Sequence, residues 1–188
     1  QAAAPPHHAG RQYRNPWPSF RAPTLGDLWR WHRGRLSGTL PPNPLPEDLP
    51  RAQPQLAWPR AAEGELRATW LGHSTWLLQL GELNLLTDPQ LSERASPFQT
   101  LGPRRFSPPG LSMEELPEID VVLISHDHYD HLDAPTVAAL HRRFGGGIQW
   151  VTPLGFTPWF RRRGIAVREM DWWSTGEVEG EEGGRVGV

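Results

Sequence analysis

The sequence predicts an α/β fold, a mixed sheet flanked by helices, and three features carry that prediction. Apolar residues alternate along LRATWLG, STWLLQL and LNLLTD between Leu66 and Asp88, as in strands joined by tight turns. Ile119 to Ile124 is an almost unbroken aliphatic run, the mark of a strand buried on both faces. Past that run, strand-like and helix-like stretches take turns, which is the pattern of helices laid against a sheet.

The elements follow in order. Residues 1–60 hold 12 of the 21 prolines and sustain no period of 2 or 3.6. They read as an extended arm wrapping a domain of residues 61–188, with one helix near Leu25 to Arg35 that Thr24 can cap. Trp17, Trp29, Trp31 and Trp58 are expected to pin the arm to the domain, with contact to a membrane as the other reading. Gly81-Glu82 turns the second strand into the third. Pro89 to Pro117 is a polar loop rich in Pro, Ser and Arg. After the buried strand, Asp133 caps a helix reaching Phe144. Pro135 fits its first turn, and Val137, Leu140 and Phe144 share one stripe. Gly145-Gly146-Gly147 stops it. GIQWVTP is a strand, TPWFRRRG a short helix, and IAVREMDWW a strand. The tail from Ser174 reads as an acidic turn running into a further strand. Gln1 and Val188 both read as cuts, so the chain is expected to be a piece of something longer.

Composition narrows the function. The 188 residues carry 19 basic and 21 acidic side chains, too balanced to bind nucleic acid by bulk charge. All the cations are arginine, which reflects either codon usage or a preference for bidentate anion contacts. With no cysteine, any metal must be held by histidine and carboxylate. No apolar run approaches the roughly 18 residues that span a bilayer.

The chemistry lies in SHDHYDHLD, Ser125 to Asp133, which crowds three of the chain's eight histidines behind an aliphatic strand. Alternation along an extended chain places His126 and His128 on one side, where two imidazoles can grip a cation. The turn that follows brings Asp130 and His131 to a second position. This nitrogen and oxygen set suits Zn²⁺ and tolerates Mn²⁺ or Fe. Metal pairs about 3.5–4 Å apart activate water against phosphoesters. Bound cations would also offset the desolvation cost of crowding these groups. Asp127 and Tyr129 should point the other way. Asp133 serves as helix cap or as support to a ligand histidine. His141 is expected to face solvent.

His-x-His-x-Asp-His after a buried strand resembles the signature of the metallo-β-lactamase fold hydrolases. WLGHSTWLLQL, LLTDPQLSERASPFQTLGPRRF, ELPEIDVVLISHDHYDHLD, VTPLGFTPWFRRRGI and MDWW resemble one branch of them. That branch holds the N-acyl-phosphatidylethanolamine-hydrolysing phospholipase D and its bacterial relatives. The resemblance runs from Asn15-Pro16-Trp17 to Trp173. It implies an αββα sandwich, present here as its first half, with two zinc ions. By motif position His126 and His128 would bind the first ion, and Asp130 and His131 the second, the latter pair being catalytic as well. Asp88 matches an aspartate that supports the ligands from a strand end. His73 matches a histidine near the site, or else is a hydrogen-bonded core residue. The family's further histidine, bridging aspartate and last histidine fall downstream of Asp171-Trp172-Trp173, past Val188. This puts the activity of the chain by itself in doubt.

The implied activity is attack of metal-activated water on a phosphodiester of an N-acylated phosphatidylethanolamine or similar lipid, with no protein nucleophile. A lactone, a cyclic phosphodiester or a nucleic acid as substrate, or a half-domain without activity, are the alternatives. Arg94, Arg104 and Arg105 meet an anionic head group or are surface arginines. Trp172 and Trp173 line a substrate pocket or belong to the core. The implied location is the cytoplasm or the periphery of a membrane.

Overall fold

The structure is a computed structural model of the chain, and it describes residues 5–10, 12–17, 21–38, 41, 44–180 and 184–188. The chain divides into two compact units, Gln1–Leu49 and Pro50–Val188. The first contains a small hairpin, β1 (His8–Ala9) and β2 (Gln12–Tyr13), and helix α1 (Leu25–Leu36). Thr24 begins α1 with a complete capping box. Its hydroxyl accepts from the Asp27 amide at 3.2 Å, and the Asp27 carboxylate accepts from the Thr24 amide at 2.8 Å. The predicted helix is therefore present. The tryptophans expected as anchors are not buried: Trp17, Trp29, Trp31 and Trp58 are all more than half exposed, and α1 buries none of its residues.

The second unit is built on a six-stranded sheet. Its strands are β3 (Leu66–Gly72), β4 (Thr75–Leu80), β5 (Leu83–Thr87), β6 (Val121–Leu123), β7 (Gln149–Pro153) and β8 (Val167–Met170), in that spatial order. β3 to β5 run antiparallel through the predicted tight turns, and β5 to β8 run parallel. The step from β6 to β7 is crossed by α2 (Ala134–Phe144) and that from β7 to β8 by α3 (Thr157–Arg161), while the long polar loop joins β5 to β6. The predicted strands and helices are thus all present.

The aligned register explains the core. Leu77, Leu86, Val122 and Trp150 pair in one row across β4 to β7. That row packs beneath Val137 and Leu140 of α2 and Phe160 of α3, all of them buried. The opposite face carries Leu83, Leu85, Val121 and Val151, against which Val178 packs. Val178 belongs to a hairpin of β9 (Glu177–Glu179) and β10 (Arg185–Gly187). The tail is thus two paired strands rather than an acidic turn before one.

Three local expectations change. β6 ends at Leu123, so the histidine motif is carried on a loop and not on the strand. Asp133 occupies the N-cap position but caps no backbone amide of α2; its carboxylate takes the Thr136 hydroxyl and the Ser92 amide. It therefore ties the polar loop to the helix start. His141 is half-buried, with Nδ1 enclosed and unpartnered, instead of facing solvent.

Candidate metal centre

The parallel register puts the ends of β5 and β6 side by side, with Thr87 opposite Leu123. Asp88 leaves the first strand as Ile124 and Ser125 leave the second, and the Asp88 amide donates to the Leu123 carbonyl at 2.8 Å. Trp76 of β4 pairs with Thr87, so the β3–β4 turn carrying His73 arrives at the same end. Asp88 and the histidine loop thus leave the carboxyl ends of parallel strands, where open α/β sheets assemble their sites, and the antiparallel β3–β4 turn adds His73.

Asp88 organises the cluster. It is buried, and its carboxylate accepts from the Ser125 amide at 2.7 Å and the Ser125 hydroxyl at 2.6 Å. It also accepts from His131 Nδ1 at 2.9 Å. An ionised carboxylate only accepts, so Nδ1 of His131 carries the proton and Nε2 keeps its lone pair. The Ser125 hydroxyl spends its proton on Asp88. At 2.9 Å from His126 Nδ1 it must therefore accept, which leaves Nε2 of His126 with a lone pair as well. One carboxylate thus sets both rings, one directly and one through a hydroxyl.

The donor atoms converge. His126 Nε2 lies 3.1 Å from His128 Nδ1. The rings of His126 and His131 are 4.0 Å apart. His73 Nε2 contacts Asp130 Oδ2 at 2.8 Å, and His131 Nε2 lies 3.5 Å from the same oxygen. His73, Asp130 and His131 offer ligand atoms that all fall within 4.8 Å of one another. Burial, with the neighbouring His131 and His128, holds His126 below the ordinary histidine pKa, so it stays neutral and able to ligate. Burial works to raise Asp130, but the hydrogen bonds from its own backbone amide and from the His73 ring outweigh it. The carboxyl titrates below its usual value and is ionised. Imidazole nitrogens and a carboxylate converging without thiolate form a donor set that fits a divalent cation.

The four motif residues are therefore brought together, and His73 joins them as an exposed partner of Asp130 rather than a core histidine. Both His73 and Asp88 sit in left-handed backbone, φ 50° and 38°, a conformation that non-glycine residues adopt at a cost. A cleft of about 690 Å³ opens beside His128 and Asp130, and it is also lined by His73, Arg104, Phe106 and Tyr129. Asp127 and Tyr129 line it too, so they do not turn away from the site. Arg104 reaches the cleft while paired with Glu93. Arg105 also reaches it, but its guanidinium holds the Gln90 carbonyl, Gln90 Oε1 at 2.6 Å and Ser107 O at 3.1 Å. Burial lowers its pKa. Arg94 is engaged with the Gly102 carbonyl at 2.6 Å. Trp172 does not line the cleft; it stands edge-on to Trp173, ring centres 5.7 Å apart. Ser125 is the residue that sequence reasoning missed. Its position between the buried strand and the first histidine was the available signal.

Residues 83–186 match the model of the beta-lactamase superfamily domain. The chain belongs to the beta-lactamase superfamily. The match runs from β5 into β10 and includes His126, His128, Asp130 and His131, while His73 lies before it. Two relatives are similar to part of the chain. It is 40% identical over 122 residues to N-acyl-phosphatidylethanolamine-hydrolyzing phospholipase D 1 of Caenorhabditis elegans, covering 62% of this chain and 34% of that protein. It is 39% identical over 137 residues to an uncharacterized protein of Mycobacterium tuberculosis, covering 70% of this chain and 35% of that one. The chain thus spans about a third of the length of these relatives. Among solved structures, a metallo hydrolase from Ignicoccus hospitalis overlays 59% of this chain and 42% of its own, with a TM-score of 0.43 and 18% identity.

Proposed function

We propose that this chain supplies the first metal-binding half of a hydrolase that cleaves a phosphodiester, with an N-acylated phosphatidylethanolamine or a similar phospholipid as substrate. The observation that carries the reading is the Asp88–Ser125 arrangement. It fixes His126 and His131 with their Nε2 lone pairs directed at one cluster containing His128 and Asp130. Such placement is costly for histidines with no cation to bind. The name of the nematode relative supports a lipid phosphodiester over other esters.

His126 and His128 would hold one cation, and Asp130 and His131 a second. Zinc suits these donors best, and manganese or iron are tolerated. Bound cations lower the pKa of coordinated water and offset charge on a phosphoryl oxygen. The chain's own residues do the rest. Asp88 holds the tautomers, His73 restrains the Asp130 carboxylate, and the cleft bearing Arg104 and Phe106 receives the substrate. Neither cysteine nor a serine elbow supplies a nucleophile, so water is the attacking group.

The test joins metal content to turnover. The purified chain is dialysed against zinc and analysed by mass spectrometry. It is then offered N-acyl-phosphatidylethanolamine, bis-p-nitrophenyl phosphate and a sugar-phosphate lactone. Two zinc ions per chain with phosphatidic acid release supports the reading. Zinc binding with turnover of the lactone alone moves the substrate elsewhere, and zinc without turnover of any of them assigns the chain a metal-binding role only. Zinc content at background removes the reading altogether.

A further inference from the structure

Helix α1 is well formed and yet buries nothing. Its capping box is complete, while Leu25 is 86% exposed, Trp29 61% and Leu36 76%. The helical period makes sense of this. Leu25, Leu28, Trp29 and Leu36 recur at spacings of three, four and seven, which places them on one side, with His32 among them. Asp27, Arg30 and Gly34 fall on the other side. Arg33 and Arg35 lie at the borders of the stripe. Their guanidinium groups stand 4.7 Å over the Trp29 ring and 5.3 Å over the Trp31 ring.

We propose that α1 is an interfacial helix that docks on an anionic lipid surface. The assignment goes beyond the hydrolase reading and stands on residues outside the metal cluster. Charge decides the occupant. The sequence of residues 1–49 has arginine at 11, 14, 21, 30, 33 and 35, against only Asp27, Glu47 and Asp48. Asp27 is itself held in the cap and by Arg21 at 2.7 Å. A leucine and indole stripe edged by arginines is the composition that lies in a bilayer interface. The Trp29 indole sits at headgroup depth there, and the flanking guanidinium groups meet phosphate. The guanidinium groups of Arg33 and Arg35 already stack on indole rings, so little side-chain freedom is left to lose on docking.

The test is co-sedimentation of the full chain with two kinds of vesicle. One is pure phosphatidylcholine, and the other has about a third of it replaced by phosphatidylglycerol. The chain should sediment with the anionic vesicles and much less with the neutral ones. Changing Arg33→Gln and Arg35→Gln together should weaken anionic-vesicle binding by about 25-fold, at about fivefold per arginine, and leave neutral binding unchanged. Leu28→Gln with Trp29→Gln should weaken both by at least about tenfold. Because these side chains are exposed, circular dichroism should show the helix retained. Brominated acyl chains should quench the parent, and quench Trp29→Phe less while binding persists. Three outcomes overturn the proposal: no sedimentation with anionic vesicles, equal binding by parent and variants, or self-association that occludes Trp29 in place of lipid. Failure of lipid turnover would leave this measurement unaffected.

Discussion

Replacing Asp88 with asparagine should weaken zinc binding by about 10- to 100-fold, the usual effect of removing a carboxylate that orients a ligand histidine. The magnitude can be traced atom by atom. The carboxylate takes the Ser125 amide on one oxygen, and the Ser125 hydroxyl and His131 Nδ1 on the other. Asparagine keeps one acceptor and turns the other position into an amide nitrogen that can only donate. If the oxygen stays on the Ser125 amide, the nitrogen faces His131 and reverses its tautomer. The proton then moves to Nε2, where the lone pair is needed. The hydroxyl of Ser125 loses its acceptor in the same event, so the hold on His126 slackens too. A loss of 10- to 100-fold corresponds to about 1.4–2.8 kcal/mol, the scale of one or two charge-assisted hydrogen bonds. The assay is competition for zinc against a chromophoric chelator near neutral pH, with a denaturant melt to show that the variant is folded. Ser125→Ala, which removes only the hydroxyl relay, should fall between parent and Asp88→Asn. A folded Asp88→Asn protein that takes up zinc within twofold of the parent would refute the reasoning.

Other expectations concern stability. The side chains of Arg60 and Asp120 are only 9% and 5% exposed, and they form an ion pair that the Asn84 amide joins at 2.8 Å. Asp120→Ala should cost about 1–3 kcal/mol, because the Asn84 amide loses its buried acceptor while Arg60 keeps Glu118 at 3.2 Å, as read from urea titrations. Glu169 accepts the Thr157 amide at the start of α3. Burial works to raise its pKa, but the hydrogen bonds from Thr157, Gly155 and Phe156 outweigh it and leave the carboxyl below the usual 4.5. A depressed folded pKa gives stability that is complete above the unfolded value and is lost as pH falls through the folded one. Glu169→Gln should therefore flatten the melting temperature between about pH 5 and pH 3, and a slope equal to the parent's would contradict it. Gly72→Ala should destabilise strongly. φ there is +114°, and a Cβ would stand 2.7 Å from Arg105 Nη2, so calorimetry should show the loss even without metal.

Most of the fold was legible because its signals are local. Alternation along Leu66–Gly72 and Thr75–Leu80, the aliphatic run ending at Ile124, and the stripe of Val137 and Leu140 each report their own element. The candidate site was legible for a related reason, since four possible donors lie within six consecutive residues. What stayed hidden depends on residues far apart in sequence. Asp133 looks like a cap, and only the approach of Ser92, 41 residues away, shows the bond it makes instead. Arg60 and Asp120 are 60 residues apart, and nothing near either announces the other. Arg104 and Arg105 read alike as adjacent cations on a polar loop. The structure separates them, one paired with Glu93 and the other tied to Gln90 and Ser107.

The strained backbone suggests why so much of the chain is spent on holding this one sheet end. His73 and Asp88 both occupy left-handed conformations worth roughly 1–3 kcal/mol each, which the local sequence has no glycine to relieve. Each is over-determined from outside. The turn bearing His73 is packed by Arg105, whose side chain would collide with any Cβ at Gly72 and whose guanidinium is anchored to Gln90. The Gln90 amide in turn donates to Thr75 Oγ1 at 3.1 Å, while that hydroxyl donates to the Asp88 carbonyl at 2.8 Å. The polar loop after β5 thus closes a ring of bonds through Arg105, Gln90 and Thr75 back to Asp88. Its composition reads as that of an idle connection. Its bonds hold Asp88 and the His73 turn in the geometry that directs His131 and Asp130 inward, so damage to the loop should reach the ligands without any ligand being changed.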